Sequence, residues 1–287
     1  MPKAKIGVIG GTGLYEIEGL TDISEVKPKT PFGEPSDSII VGRLEGTEIA
    51  FLPRHGRGHL VNPTEIPARA NIYALKSLGV EWIISVSAVG SLKENIHPLD
   101  LVIPDQLIDR TKSRVNSFFT GGIVAHVGFA RPFCSCLSDI LYKSALEEGA
   151  KVHPEGTYII MEGPLFSTKA ESNLYRSWGA SIIGMTALPE AKLAREAEIC
   201  YATVGCVTDY DVWHETEDEV TIEMAVANLK RTADMSKRII RRAAKCIPNK
   251  RDCQCASALQ NAILTDPKLI PPKTKKDLAL LIRKYIQ

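Results

Sequence analysis

Short apolar runs recur along this chain, and most end in glycine, proline or an acid rather than alternating with polar residues. Residues 4–9, 81–87, 157–161, 181–183 and 200–207 have this form. Runs of that length, rich in Val and Ile, fit strands covered on both faces. Residues 38–44 and 47–52 read as two more strands around a turn at Glu45-Gly46, and residues 101–104 as a short one. Helical periodicity marks residues 63–78, with Ile66, Ala70, Ile72, Ala74 and Leu75 as core positions. It also marks residues 132–149, which end at a glycine. Further helices are expected from a Ser167 or Thr168 cap through Trp178, over 188–198, and over 219–246, the longest, whose Arg-rich end suits the helix dipole. Residues 105–122 read as an irregular loop. The alternation of strands and helices predicts an α/β protein. Gly and Pro do not gather into a linker before Pro248, so residues 1–247 read as one domain and residues 248–287 as an extension ending in a helix over 276–286.

The ends of the apolar runs hold the candidate chemistry. Residues 200–207 run into Asp209 and Asp211, at the strand end where open α/β sheets bind ligands. Two apart in extended backbone, both carboxyls point to one side. Either could donate a proton if its pKa is raised. The same residues also fit a plain turn closing a strand. Residues 4–9 lead into Gly10-Gly11-Thr12-Gly13, where backbone N–H groups and a hydroxyl can converge on an anion. A dinucleotide fingerprint fails here, because its third glycine position is Glu16 and no long amphipathic helix follows. Arg54-His55-Gly56-Arg57-Gly58-His59 is dense in donors, and an arginine fork suits phosphate oxygens. Ser87-Ala88-Val89-Gly90-Ser91 is small enough to let a ligand approach the backbone, or is a tight strand exit. Phe166, in a Gly-Pro turn, is a core residue or a face for a stacked base.

Composition narrows the classes. The chain has 287 residues, 44% hydrophobic and 24% charged, with a net charge of +1. No bulk field favours nucleic acid, and no apolar run approaches the roughly 20 residues of a membrane helix. No secretory core follows Met1, so a soluble cytoplasmic protein is expected. The seven cysteines include two C-x-C pairs, Cys134/Cys136 and Cys253/Cys255, with no His at zinc-finger spacing. That argues against a structural zinc site, and no metal-ligand spacing is evident elsewhere.

Six motifs in order resemble the trimeric purine nucleoside phosphorylase family, over residues 6–241 or so. They are Val8-Ile9-Gly10-Gly11-Thr12-Gly13, Arg54-His55-Gly56-Arg57, Ser87-Ala88-Val89-Gly90-Ser91-Leu92, Glu162-Gly163-Pro164, Gly184-Met185-Thr186-Ala187-Leu188-Pro189-Glu190 and Thr208-Asp209-Tyr210-Asp211. The resemblance implies a single domain built on a central twisted mixed β-sheet flanked by helices, with residues 1–247 as the catalytic body. It implies phosphorolysis of a purine nucleoside, with inorganic phosphate as co-substrate and no metal or organic cofactor. Thr12, Arg54, His55, Ser87, the Ala88 backbone and Thr186 match the phosphate site. Ser87 stands where close members usually carry Thr. Met185 matches the ribose contact, Phe166 and Ser167 residues around the base, and Ile222 and Ala225 the lining of the 5′ pocket. Asp209 matches the residue facing N7, and Asp211 its neighbour near the 6-amino group. His126 matches a residue reaching into the next subunit, which implies a trimer, or a dimer of trimers, with shared sites. The cysteine cluster Cys246, Cys253 and Cys255 looks like the cystine-rich tail of thermophilic archaeal relatives, which implies disulfides.

Hydrogen-bond polarity then bears on the base. A carboxylate accepts well from the 6-amino group of adenine and faces O6 of hypoxanthine or guanine badly. Relatives that prefer 6-oxopurines tend to carry Asn where this chain has Asp209. The two acids therefore point to adenine, and the resemblance implies 5′-methylthioadenosine as the substrate, with adenosine as a second one. The alternative is a phosphorylase of broader or 6-oxopurine preference, and a remote one is a nucleotide-binding protein that cleaves nothing.

Overall fold

The computed structural model describes residues 2–11, 14, 16–214 and 222–286, the side chains of 222–226 and 229 excepted. In chain order its first half holds β1 (Ile6–Gly10), β2 (Thr21–Val26), β3 (Ile39–Leu44), β4 (Thr47–Pro53), α1 (Ala68–Ser77), β5 (Trp82–Ser91), β6 (Leu101–Val102), β7 (Gln106–Arg110) and α2 (Ser135–Glu147). Then come β8 (Val152–His153), β9 (Thr157–Met161), α3 (Lys169–Ser177), β10 (Ile182–Gly184), α4 (Ala187–Glu196), β11 (Cys200–Asp209), α5 (Ile222–Cys246), α6 (Pro272–Asp277) and α7 (Ala279–Ile282).

The two longest strands are central because, apart from Trp82 and Tyr201, nearly all their residues are small or β-branched on both faces. All of β11 is buried, and in β5 only Ala88 is exposed. They pair in parallel from Cys200 opposite Trp82 to Val207 opposite Val89, and after a register shift Asp209 lies opposite Gly90. β1 lies on the other side of β5, parallel to it and to β4. The sheet is mixed, because β10 meets only the far end of β5 and runs antiparallel, with Ile183 opposite Gly90. So the sheet forks at the end of β5: β11 continues one branch, and β10, β9 and β7 form the other. Helices α1 and α4 pack on one side, with Ile72, Leu75, Leu188 and Leu193 in the core. Helices α2 and α5 pack on the other, with Leu137, Leu141, Ile239 and Ile240.

Several elements differ from the sequence expectation. β7 lies inside the stretch read as irregular, and it pairs with β9 in parallel. β2 is a mostly exposed edge strand of polar composition, which leaves no apolar signal. The helix expected over 276–286 is two short helices, α6 and α7, meeting at Leu278. The start of the long helix, expected at residue 219, lies outside the described residues before Ile222. The disulfides expected from the tail are not present, and all seven cysteines are free thiols. The tail itself is packed into the body. Leu259, Ile270, Leu278 and Leu281 join the same buried cluster as Leu52 and Leu75. Glu198 accepts from the Leu259 amide (3.2 Å) and from the Tyr285 hydroxyl. Among the described residues no helix is long and apolar enough to cross a membrane.

Candidate active site

The fork explains how distant residues meet. Because β10 runs back along β5, Thr186 at its end returns beside Ser87, and the two hydroxyls lie 2.9 Å apart. Thr186 directly precedes α4 and makes no side-chain cap bond; the backbone is extended again at Leu188 (φ −117°, ψ 140°), so the continuous helix begins only after that residue. Ala88, exposed beside them, leaves the β5 backbone approachable.

Arg54 follows β4 and is 2% exposed. Its fork does not point freely at a ligand. Nε donates to Glu190 Oε1 (2.5 Å), Nη1 to the Val86 carbonyl (3.0 Å), and Nη2 to Ser85 Oγ (2.7 Å) and Glu190 Oε2 (3.2 Å). A guanidinium has five N–H donors. Four are used here, and one on Nη1 has no acceptor among the described residues. The two-pronged phosphate contact expected from sequence is therefore reduced to a single donor, and Arg54 is first a buried ion-pair partner of Glu190. Arg57 faces Glu25 and Asp37 at the surface instead.

His55 Nδ1 lies 2.8 Å from the Val61 carbonyl, which can only accept, so Nδ1 carries the proton. Burial, with the charge of Arg54 beside it, pushes the imidazole down from 6.5 to about 4. The neutral ring then presents the Nε2 lone pair, which suits a phosphate that still carries a proton. The shift also bears on stability. Between pH 6.5 and about 4 the unfolded chain binds a proton that the folded one refuses, so stability falls as pH falls through that window. His55→Gln is expected to flatten this acid limb, read as thermal midpoint against pH in both proteins. Parallel curves would show that His55 is not held neutral.

Asp209 and Asp211 are both buried, at 8% exposure each. They do not share one face of an extended strand, as the sequence reading expects. β11 runs through Asp209, then turns, and Asp211 has φ of 52° and opens a short 3-10 helix at Asp211–Trp213. The Asp211 amide donates back to Asp209 Oδ1 (2.8 Å), and Thr208 Oγ1 donates to Oδ2 (2.6 Å). Burial raises both carboxyls above the usual range, and for Asp209 the charge of Asp211 adds to this. Ser167 Oγ lies 3.0 Å from both Asp211 oxygens, so the loop after β9 closes onto the end of β11. A Cβ at Gly90 would meet Asp209 Oδ1 at 2.8 Å, which is why glycine stands there. Phe166 is 46% exposed in that loop, presenting a ring face rather than filling the core.

Three residues with no role assigned from sequence hold this arrangement. Arg114 donates through Nη1 to the carbonyls of Met185 and Leu188 (2.6 Å for the latter) and through Nη2 to the Glu162 carbonyl. It therefore fixes the Met185-Thr186 turn against the end of β9. Trp213 Nε1 donates to the Ser91 carbonyl (2.7 Å), tying the β11 exit to the end of β5. Asn228 on α5 donates to the Thr208 carbonyl (2.6 Å). Of the remaining candidates, His126 is exposed and its amide donates to the Ala262 carbonyl in the tail (2.9 Å). Thr12 lies outside the described residues, as do the side chains of Ile222 and Ala225.

The arrangement thus brings the Ser87 and Thr186 hydroxyls together next to the exposed Ala88, and sets two buried acids against Ser167, in the loop that carries the exposed Phe166. The chain belongs to the phosphorylase superfamily, whose family model matches residues 5–245. It is similar to the S-methyl-5′-thioadenosine phosphorylase of Geobacter sulfurreducens, with 58% identity over 98% of this chain and 99% of the relative. The enzyme of the same name from Koribacter versatilis is 55% identical over 99% and 97%. Among solved structures, a methylthioadenosine phosphorylase from an antarctic soil metagenomic library superposes with a TM-score of 0.94 at 49% identity, covering 98% of this chain and 99% of that one. The S12T mutant of the adenosine/methylthioadenosine phosphorylase of Schistosoma mansoni, in complex with methylthioadenosine, superposes at 0.83 with 31% identity, covering 98% of each chain.

Proposed function

We propose that this protein is a pentosyltransferase that cleaves 5′-methylthioadenosine with inorganic phosphate, giving adenine and 5-methylthioribose 1-phosphate. The observation that carries the reading is the buried Asp209 at the end of β11, set beside a separate cluster of phosphate-type donors. The full-length likeness to enzymes of that name supports it. Phosphate is held by Ser87, Thr186, the Ala88 backbone, the free Nη1–H of Arg54, His55 and Thr12. Ribose lies against Met185 and the base against Phe166 and Ser167. Asp209 supplies the proton or strong hydrogen bond that N7 needs as the glycosidic bond breaks. Asp211, oriented by Ser167, accepts from the 6-amino group. Phosphate itself balances the positive charge growing on the sugar, so the reaction asks for no cofactor. Ile222 and Ala225 line the 5′ pocket.

Residues 1–247 form the catalytic body and 248–287 an extension packed onto it. The working form is a cytoplasmic homotrimer, alone or paired, in which His126 completes a neighbour's 5′ pocket. Its exposure, and the exposed Val124 and Leu264 beside it, support that reading. Base release from methylthioadenosine, adenosine and inosine should require phosphate and should survive a chelator at low temperature. Equal release without phosphate would sink the proposal. Inosine as the best substrate would point to the 6-oxopurine alternative.

A further inference from the structure

Four of the seven cysteines meet in space. Cys134 caps α2, Cys200 opens β11, and Cys253 and Cys255 sit at the start of a 3-10 turn, Gln254–Ser257, in the tail. Their four sulfur atoms all lie within 4.8 Å of one another, and three of the residues are buried. Cys136, Cys206 and Cys246 fall outside the group.

We propose that Cys134, Cys200, Cys253 and Cys255 form a closed four-thiolate site for one zinc ion, which fastens the C-terminal tail to the start of β11.

The spacing is that of ligands rather than of bonded pairs. Zinc holds thiolates at about 2.3 Å in a tetrahedron, whose edges are then about 3.8 Å. Cys253 Sγ lies 3.8 Å from Cys134 Sγ and 3.2 Å from Cys200 Sγ. One sulfur close to two others at once is placed like a vertex shared by two edges. Two disulfides would instead sort the four into pairs at about 2.05 Å. Cys134 adds a favourable field, because a thiolate at a helix N-terminus is stabilised by the helix dipole. On binding, each thiol gives up its proton and the sulfur pair replaces the S–H bond with a metal bond.

Four protein ligands leave no open position, which marks a structural rather than a catalytic ion. The site also lies at the opposite end of β11 from Asp209. The separation is 209 − 200 = 9 residues, or about 30 Å at strand rise. Sequence spacing hid the site and led to the expectation of no zinc. Cys134 is 119 residues from Cys253, and Cys200 is 53 residues from it. Neither C-x-C pair has a second pair nearby in sequence, so no finger-like pattern shows.

The test is metal analysis of the full chain, purified under reducing conditions without a metal-chelating tag. The expected result is about one zinc per chain, released by a mercurial. Cys253→Ser with Cys255→Ser should lose the zinc and unfold at lower temperature, with low-temperature turnover near wild type. Cys136→Ser and Cys246→Ser should keep it. If the double variant does not fold, cobalt titrated into the reduced, metal-stripped wild-type chain should give the intense visible bands of tetrahedral thiolate coordination. Absence of both zinc and those bands would overturn the proposal. So would two disulfides among these four cysteines in the reduced-purified protein, or full zinc in the double variant.

Discussion

Asp209→Asn is expected to slow adenine release from methylthioadenosine by about 10²–10⁴-fold, the usual cost of losing a general acid. The carboxyl is held by two donors, Thr208 Oγ1 and the Asp211 amide. In the variant the Asn carbonyl can still accept from the Asp211 amide, and the Thr208 hydroxyl can rotate to accept from the new NH₂ group. The fold should therefore survive, and the loss reads chemistry. Asn donates a hydrogen bond but cannot transfer a proton. For inosine the change should be smaller, or favourable, because the amide can donate to O6 where a carboxylate repels it. The quantity to measure is the ratio of inosine to methylthioadenosine turnover at saturating phosphate. A folded variant in which both fall in equal proportion would show that Asp209 does not read the base. The wild-type rate should also decline as pH rises through the raised pKa of this acid, and that limb should be missing in the variant.

Arg54→Ala should be the most destabilising of these substitutions, by about 3–5 kcal/mol, because it leaves a buried carboxylate without its partner. Glu190 is 1% exposed, and besides Arg54 its side-chain donors among the described residues are the hydroxyls of Tyr201 (3.0 Å) and, more distantly, Ser85 (3.4 Å). The pair joins the end of β4 to α4, beneath the phosphate-type donors. Removing both charges, in Arg54→Met with Glu190→Gln, should recover much of the loss, as double changes of buried pairs do. The urea midpoint reports this, provided the slope is unchanged. A phosphate KM that rises in Arg54→Ala with the midpoint unmoved would reverse the assignment, making Arg54 a ligand first and a strut second.

Strand ends were the legible part of the chain. Residues 81–87, 157–161, 181–183 and 200–207 all carry strands in the structure, and the site gathers at their exits. Their apolar runs are buried on both faces, so the pattern is simple. β7 escaped because Gln106-Leu107-Ile108-Asp109-Arg110 has only two apolar residues between polar ones, and it is stabilised by pairing with β9. Arg114 escaped for a different reason. A single arginine in a polar loop carries no local sign that it will be 3% exposed along its side chain and bonded to the carbonyls of two separate segments, at Glu162 and at Met185 and Leu188. The turn after Asp209 could not be read either. Positive φ at a residue other than glycine is set by the bonds that surround it, here from Ser167 and to Asp209.

The pairing of β5 with β11 also has a kinetic consequence. The partners Trp82 and Cys200 are 200 − 82 = 118 residues apart, and contacts of such long range slow folding because the loop must close before they form. During synthesis the centre of the sheet stays open on the β11 side until more than two thirds of the chain has left the ribosome. A nascent chain stalled before Cys200 therefore exposes the apolar flank of β5, and it is at that length that a chaperone should bind it most tightly.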